Sequence, residues 1–220
     1  MAIAVGNDVF VTSYAESQLV RMPWPSCARV QKCTRIFRPR GIVYSDGRLY
    51  VACYGNPVGR IVCVDPETLE VLYSFKAFRP RGIDVWRDLL VVTQVNRGQL
   101  VLFDVNGRVK GRRHGFREPR DVCVYGDVAY VASTSSDEVM SVNLVDGTRR
   151  IVNTFARPNG VATNGGTTVT SLWNAGRIMI QTNGKGTREY AASRPCMVSY
   201  GQGKYIVCDD GADCMYVIDA

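Results

Sequence analysis

The chain has 220 residues, 46% of them apolar, with 27 basic and 20 acidic side chains for a net charge of +7. That apolar content excludes a disordered chain, and no apolar run reaches the roughly 18 residues that a membrane span needs. Of the basic residues 22 are Arg and 5 are Lys. This is either a compositional habit of the genome or a selection for the planar, bidentate donor that suits carboxylate and phosphate.

At the start, Met1-Ala2-Ile3-Ala4-Val5 runs straight into the turn residues Gly6-Asn7-Asp8. There is no basic start and no cleavage site, so the expectation is a cytoplasmic protein. Residues 2–11 read as strand, turn, strand, and Leu19-Val20-Arg21-Met22 as a third strand. Cys27 and Cys33 then flank one short loop. Eight cysteines (27, 33, 53, 63, 123, 196, 208 and 214) contain no Cys-x-x-Cys. Buried free thiols are the first reading and disulfides the second, with Cys27–Cys33 the favoured pair.

Next comes Phe37-Arg38-Pro39-Arg40-Gly41, and it returns as Phe78-Arg79-Pro80-Arg81-Gly82. Looser copies follow at Phe116-Arg117-Glu118-Pro119-Arg120, at Phe155-Ala156-Arg157-Pro158-Asn159-Gly160 and at Arg194-Pro195. The prolines 39, 80, 119, 158 and 195 are 41, 39, 39 and 37 residues apart, the length of one propeller blade. Behind each proline stands a hairpin. Ile42-Val43-Tyr44 turns at Asp46-Gly47 into Leu49-Tyr50-Val51-Ala52, and the pattern repeats at 122–132, 161–171 and 198–208. The bend residues supply the positive φ that hairpins require. Third strands follow at Arg60–Asp65, Gln99–Asp104 and Glu138–Asn143, and fourth strands such as Val71–Phe75 lead to the next Arg-Pro.

The expectation is an all-β chain, 1–220, forming one β-propeller of six blades at about 1–36, 37–77, 78–115, 116–154, 155–192 and 193–220. Inner strands should begin near 2, 42, 83, 122, 161 and 198. The last blade stops at Tyr216–Ala220, in a third strand, so it should have three strands and an open edge. Open edges invite pairing, which makes self-association through 214–219 an expectation.

The unit Pro-x-Gly-(Ile/Val), then Asp-Gly-x-Leu-Tyr-Val-Ala, then Arg-Ile-x-x-Val-Asp resembles the NHL and YncE-like six-bladed propellers, over nearly the whole chain. The resemblance implies the fold and leaves function open, because such propellers host binding proteins and enzymes. Propeller lyases of the streptogramin-inactivating and peptide-amidating types depend on several histidines, whereas this chain has His114 alone. The Glu-Gly-Pro signature of the gluconolactonase-like propellers is absent. Glu16, Asn96, Asp137, Asn174, Asp209, Asp210 and Asp213 could serve as oxygen ligands for a hard cation, or as ordinary turn residues.

In a propeller the loop entering the inner strand and the loop between second and third strands share one face. That face should gather Arg40, Arg81 and Arg120, with Arg38, Arg79, Arg157 and Arg194 just before the prolines. Tyr14, Tyr54 and Trp173 should ring it. Guanidinium groups with aromatic surfaces suit single-stranded nucleic acid. The same repetition also fits arginines that tie neighbouring blades together. The expected function is a non-enzymatic recognition propeller, without cofactor, for a polyanion (RNA or single-stranded DNA) or an acidic protein. The alternative is a small metal-assisted hydrolase or lyase of the lactonase-like type.

Overall fold

The computed structural model describes residues 1–27, 30 and 32–220, with only the backbone of 32 and 33. Six antiparallel sheets, each a simple meander, pack side by side around one axis. The first contains β1 (Ala2–Val5), β2 (Asp8–Ser13), β3 (Gln18–Pro23) and β4 (Lys32–Arg35). The second contains β5 (Pro39–Ser45), β6 (Arg48–Cys53), β7 (Val58–Val64) and β8 (Val71–Phe78). The third contains β9 (Pro80–Trp86), β10 (Leu89–Gln94), β11 (Gln99–Phe103) and β12 (Val109–His114). The fourth contains β13 (Pro119–Tyr125), β14 (Val128–Ser133), β15 (Glu138–Asn143) and β16 (Arg149–Thr154). The fifth contains β17 (Gly160–Thr163), β18 (Thr167–Leu172), β19 (Arg177–Thr182) and β20 (Gly186–Ala191). The sixth has three strands, β21 (Pro195–Gly201), β22 (Lys204–Asp209) and β23 (Cys214–Asp219). The fold is thus a six-bladed β-propeller whose last blade is three-stranded, as the repeat implies.

A single blade cannot bury both of its faces, and the ring solves this by alternation. Along β6, Leu49 and Val51 pack toward the first blade, while Tyr50 and Ala52 pack toward the third. Among the described residues each of the six blade interfaces holds its own apolar cluster. The ring closes where Ala2, Ala4 and Val9 of the first blade meet Cys196, Met197 and Ile206 of the last. There Ser199 Oγ donates to the Ala2 carbonyl at 2.6 Å.

The inner strands of four blades begin at the proline itself, three residues before the expected starts for β5, β9, β13 and β21. The reason is a repeated bulge. Pro39 pairs with Cys53 and Ile42 with Val51, so Arg40 and Gly41 together oppose Ala52. Register shifts recur after Pro80, Pro119 and Pro195. The backbone N–H of Asn159 bonds the carbonyl of Ser171, the residue that Gly160 already pairs with. The residue before the proline has a left-handed φ in four copies: 47° at Arg38, 39° at Arg79, 56° at Glu118 and 50° at Arg157. Bulges re-aim side chains, and this one fixes where the arginines go.

Cys27, Cys53, Cys63, Cys123, Cys196, Cys208 and Cys214 carry free thiols. Cys27 is thus free, against the second reading of a Cys27–Cys33 pair; the side chain of Cys33 lies outside the described residues. Among the described residues no helix is long and apolar enough to cross a membrane.

Candidate functional site

The residue after each proline is the one the bulge turns toward the propeller axis. The five positions are Arg40, Arg81, Arg120, Asn159 and Cys196. Three carry guanidinium groups, and the next two residues around the ring break the pattern. Asn159 is buried, and its Oδ1 accepts from Arg81 Nη2 at 2.9 Å and from Arg120 Nη1 at 3.1 Å. Arg120 is also held by Glu118, with Nη2 to Oε1 at 2.6 Å. Burial would raise the Glu118 carboxyl, but bonds from Ser135 and Arg120 prevail and keep it below its ordinary range. Arg81 lacks such a carboxylate partner. Its Nε is buried without a hydrogen bond. Burial and the nearby charges of Arg120 and Arg40 lower its pKa to about 9. Crowded cations with one amide oxygen between them form a positive throat.

The floor of the throat is acidic. Asp121, wholly buried, accepts the backbone N–H of Val161 at 3.1 Å and leaves Oδ1 without a partner. Burial pushes its pKa up to about 7, against the N–H bonds that favour its charge. Asp84, deeper on the inner strand of the third blade, bridges to the fourth by accepting from Val124 N at 2.6 Å. Burial raises its pKa to about 6. Neither residue was expected at the site. The one signal for Asp121 was its place where the first two copies have Gly41 and Gly82.

Above the throat the mouth widens into a cavity of ≈570 Å3. Arg40, Arg81, Arg194, Tyr14 and Trp173 all line it, as do Asp209, Asp210 and Asp213. Arg40 lies over the Tyr14 ring at 3.6 Å, which fixes the guanidinium against an aromatic face. Arg194 stands 5.7 Å from the Trp173 ring. Asp209 accepts four backbone N–H bonds, from Ser193, Arg194, Gly211 and Ala212. Burial raises its carboxyl and those four bonds outweigh it. Asp137 likewise accepts the N–H of Arg157 at 2.8 Å. These two expected oxygen ligands are therefore engaged in shaping loops. Among the described residues no three His, Cys, Asp or Glu side chains gather as a metal site. Burial raises the Cys196 thiol to about 12, so it stays protonated.

The remaining expected residues lie further out. Arg38 is exposed, 5.2 Å from the Phe37 ring and 5.9 Å from Tyr14. Arg79 donates to Asn56 Oδ1 on a rim loop of the second blade. Arg157 is exposed beside Glu118. Tyr54 lines a separate groove of ≈280 Å3 with Phe37, Val58 and Val71. His114 is exposed on β12, the outermost strand of its blade. The structure thus brings together Tyr14, Arg40, Arg81, Trp173 and Arg194, with Arg120 behind Arg81, and leaves Arg38, Arg79, Arg157 and Tyr54 outside the cavity.

No family model matches the chain, and no curated protein matches its sequence. Solved structures do share its shape. One is a catalytically inactive virginiamycin B lyase from Staphylococcus aureus with quinupristin, 14% identical over all of this chain and 79% of the lyase, TM-score 0.74. A nidogen/laminin complex is 14% identical over 93% of this chain and 86% of the other, TM-score 0.76. Hydrazine synthase from Kuenenia stuttgartiensis is 16% identical over 98% and 81%, TM-score 0.74. At such identities the likeness is one of fold: a β-propeller shared with an enzyme and with a protein–protein complex alike.

Proposed function

We propose that this protein is a non-enzymatic recognition propeller, of the NHL and YncE-like kind, that binds an anionic partner at the mouth of its channel. The repeat Pro-x-Gly and the six-blade architecture support the family reading. The observation that carries the function is the convergence of Arg40, Arg81 and Arg120 on one throat, with Glu118 bonded to Arg120 and the buried Asp121 below Arg81. Like charges held together in a partly desolvated site repel, and an anion relieves that repulsion. Trp173 and Tyr14 on the walls favour a partner with flat rings, which points to RNA or single-stranded DNA before an acidic protein.

The test is fluorescence anisotropy with a labelled single-stranded 20-mer at 25 to 300 mM salt. Affinity falls with salt by about 0.7 log units per log unit for each phosphate neutralised. The triple variant Arg40→Gln, Arg81→Gln, Arg120→Gln flattens that slope. Because Arg81 and Arg120 also tie three blades together through Asn159, thermal melting accompanies it. The pair Arg40→Gln, Arg194→Gln, free of that bond, shows the same trend more weakly. A folded wild-type protein that ignores oligonucleotides at 25 mM salt and captures an acidic peptide instead moves the reading to a protein partner.

A further inference from the structure

The mouth cavity is polarised along its depth. At the bottom sits Arg81, its Nε buried and without a partner, with Arg40 beside it on Tyr14. At the rim are the exposed carboxylates Asp213 and Asp210, the latter accepting from Cys196 Sγ at 3.2 Å, with the half-buried ring of Trp173 and the exposed Arg194 beside them. Below Arg81 the cavity gives way to a second, smaller one. Met1 lines both this cavity and the smaller one of ≈140 Å3 beneath it, so it stands between the two. At ≈570 Å3 the upper cavity has the size of a small-ligand pocket.

A strand running through the interior of a nucleic acid presents phosphodiesters at its flanks and cannot thread a closed channel. Only a chain end puts a phosphate first into a blind funnel. We propose that the cavity captures the terminal nucleotide of a single strand, its phosphomonoester deep on Arg81 and Arg40 and its base at the rim. There the base stacks on Trp173 and its exocyclic amino group donates to Asp210 or Asp213, as carboxylates accept from base amines. A dianionic phosphomonoester also matches two convergent guanidinium groups better than a single-charged diester does. This deepens the reading above and rests on it.

The experiment compares one 12-mer in three forms, with a 5′-phosphate, with a 3′-phosphate and with neither, by anisotropy against the full chain at 50 mM salt. At least one phosphorylated form binds tenfold or more tightly than the unphosphorylated one. Arg81→Gln removes that difference, weakening the phosphorylated 12-mer by the larger factor and the unphosphorylated one by the smaller. If Arg81→Gln does not fold, Arg40→Gln serves in its place and reduces the difference at least threefold. Adenosine monophosphate competes with the phosphorylated 12-mer, and adenosine does not. Equal affinity for all three 12-mers overturns the end-capture site while leaving the anion-binding reading standing. No binding of any form by folded protein overturns both.

Discussion

At the scale of single residues, the buried carboxylates set a pH response. Burial holds the Asp121 proton to about pH 7 in the folded chain, against an ordinary value of 3.8. Between those values the folded state binds one proton more than the unfolded state. Stability therefore rises on acidification from pH 8 to pH 5 and is lost as pH rises through 7. The slope is on the order of 1.4 kcal/mol per pH unit for such a group. Asp84 adds its own share as pH falls through about 6. Asp121→Asn keeps an oxygen for the Val161 N–H and cannot titrate, so urea denaturation at pH 5 to 8 gives it the flatter profile. Parallel profiles for variant and wild type would remove Asp121 from the account. The sequence made Arg40, Arg81 and Arg120 legible because they recur in frame with a proline. Asn159, which joins two of them, was hidden because it departs from the repeat. Asp121 was hidden too, since a buried acid looks like any turn acid until its depth is known.

At the scale of the strand, the proline spacing announced the blades and not the bulge. A bulge is a property of pairing between two strands, and nothing in Arg40-Gly41 alone says that both residues oppose one. Its physical signature is the close passage of neighbouring blades. A Cβ on Gly82 would meet the Asp121 Cα at 2.7 Å and its Oδ1 at 2.9 Å, and one on Gly41 would meet the Arg81 carbonyl oxygen at 2.5 Å. Backbone on the far side cannot step back without moving a blade. Gly82→Ala accordingly costs about 1–3 kcal/mol by overpacking, measurable by chemical denaturation, and an unchanged midpoint would show that the inner strands have slack. The same blindness to pairing explains Tyr54. It aligns with Tyr14, yet its loop runs through Gly55, which lies against Val58 and Gly59, and its ring belongs to a groove on the outer side.

At the scale of the whole molecule, the three-stranded last blade leaves β23 as the outer edge where the five other blades carry a fourth strand after their third. Val217 is exposed on it. Unpaired strand edges recruit strands, so light scattering at tens of micromolar protein finds a dimer, and Val217→Lys returns it to monomer. A wild type that stays monomeric throughout removes β23 as a pairing edge. The six-fold count and the short last blade were both legible from the repeat, because each blade must supply the same inner hairpin. How the ring shuts was not legible, since it depends on contacts between residues almost 200 positions apart.

No sheet crosses from the sixth blade to the first. The two are joined by side-chain packing around Ala2, Val9 and Met197, by Ser199 Oγ on the Ala2 carbonyl, and by Gln202 Nε2 on the Gly6 carbonyl at 3.0 Å. Every other pair of neighbouring blades is also linked by continuous chain. The ring is therefore a band with a clasp, and the clasp can part while all six meanders keep their ladders. Opening of that kind is sub-global and needs less free energy than unfolding. Native-state hydrogen exchange then has a characteristic order. Amides of β1 and of β21 to β23 exchange in advance of the rest, while those of β9 to β15 wait for the whole chain to unfold. A ligand seated among Tyr14, Arg40 and Arg194 touches the first, second and last blades together, so it slows exchange at the clasp before it slows it anywhere else.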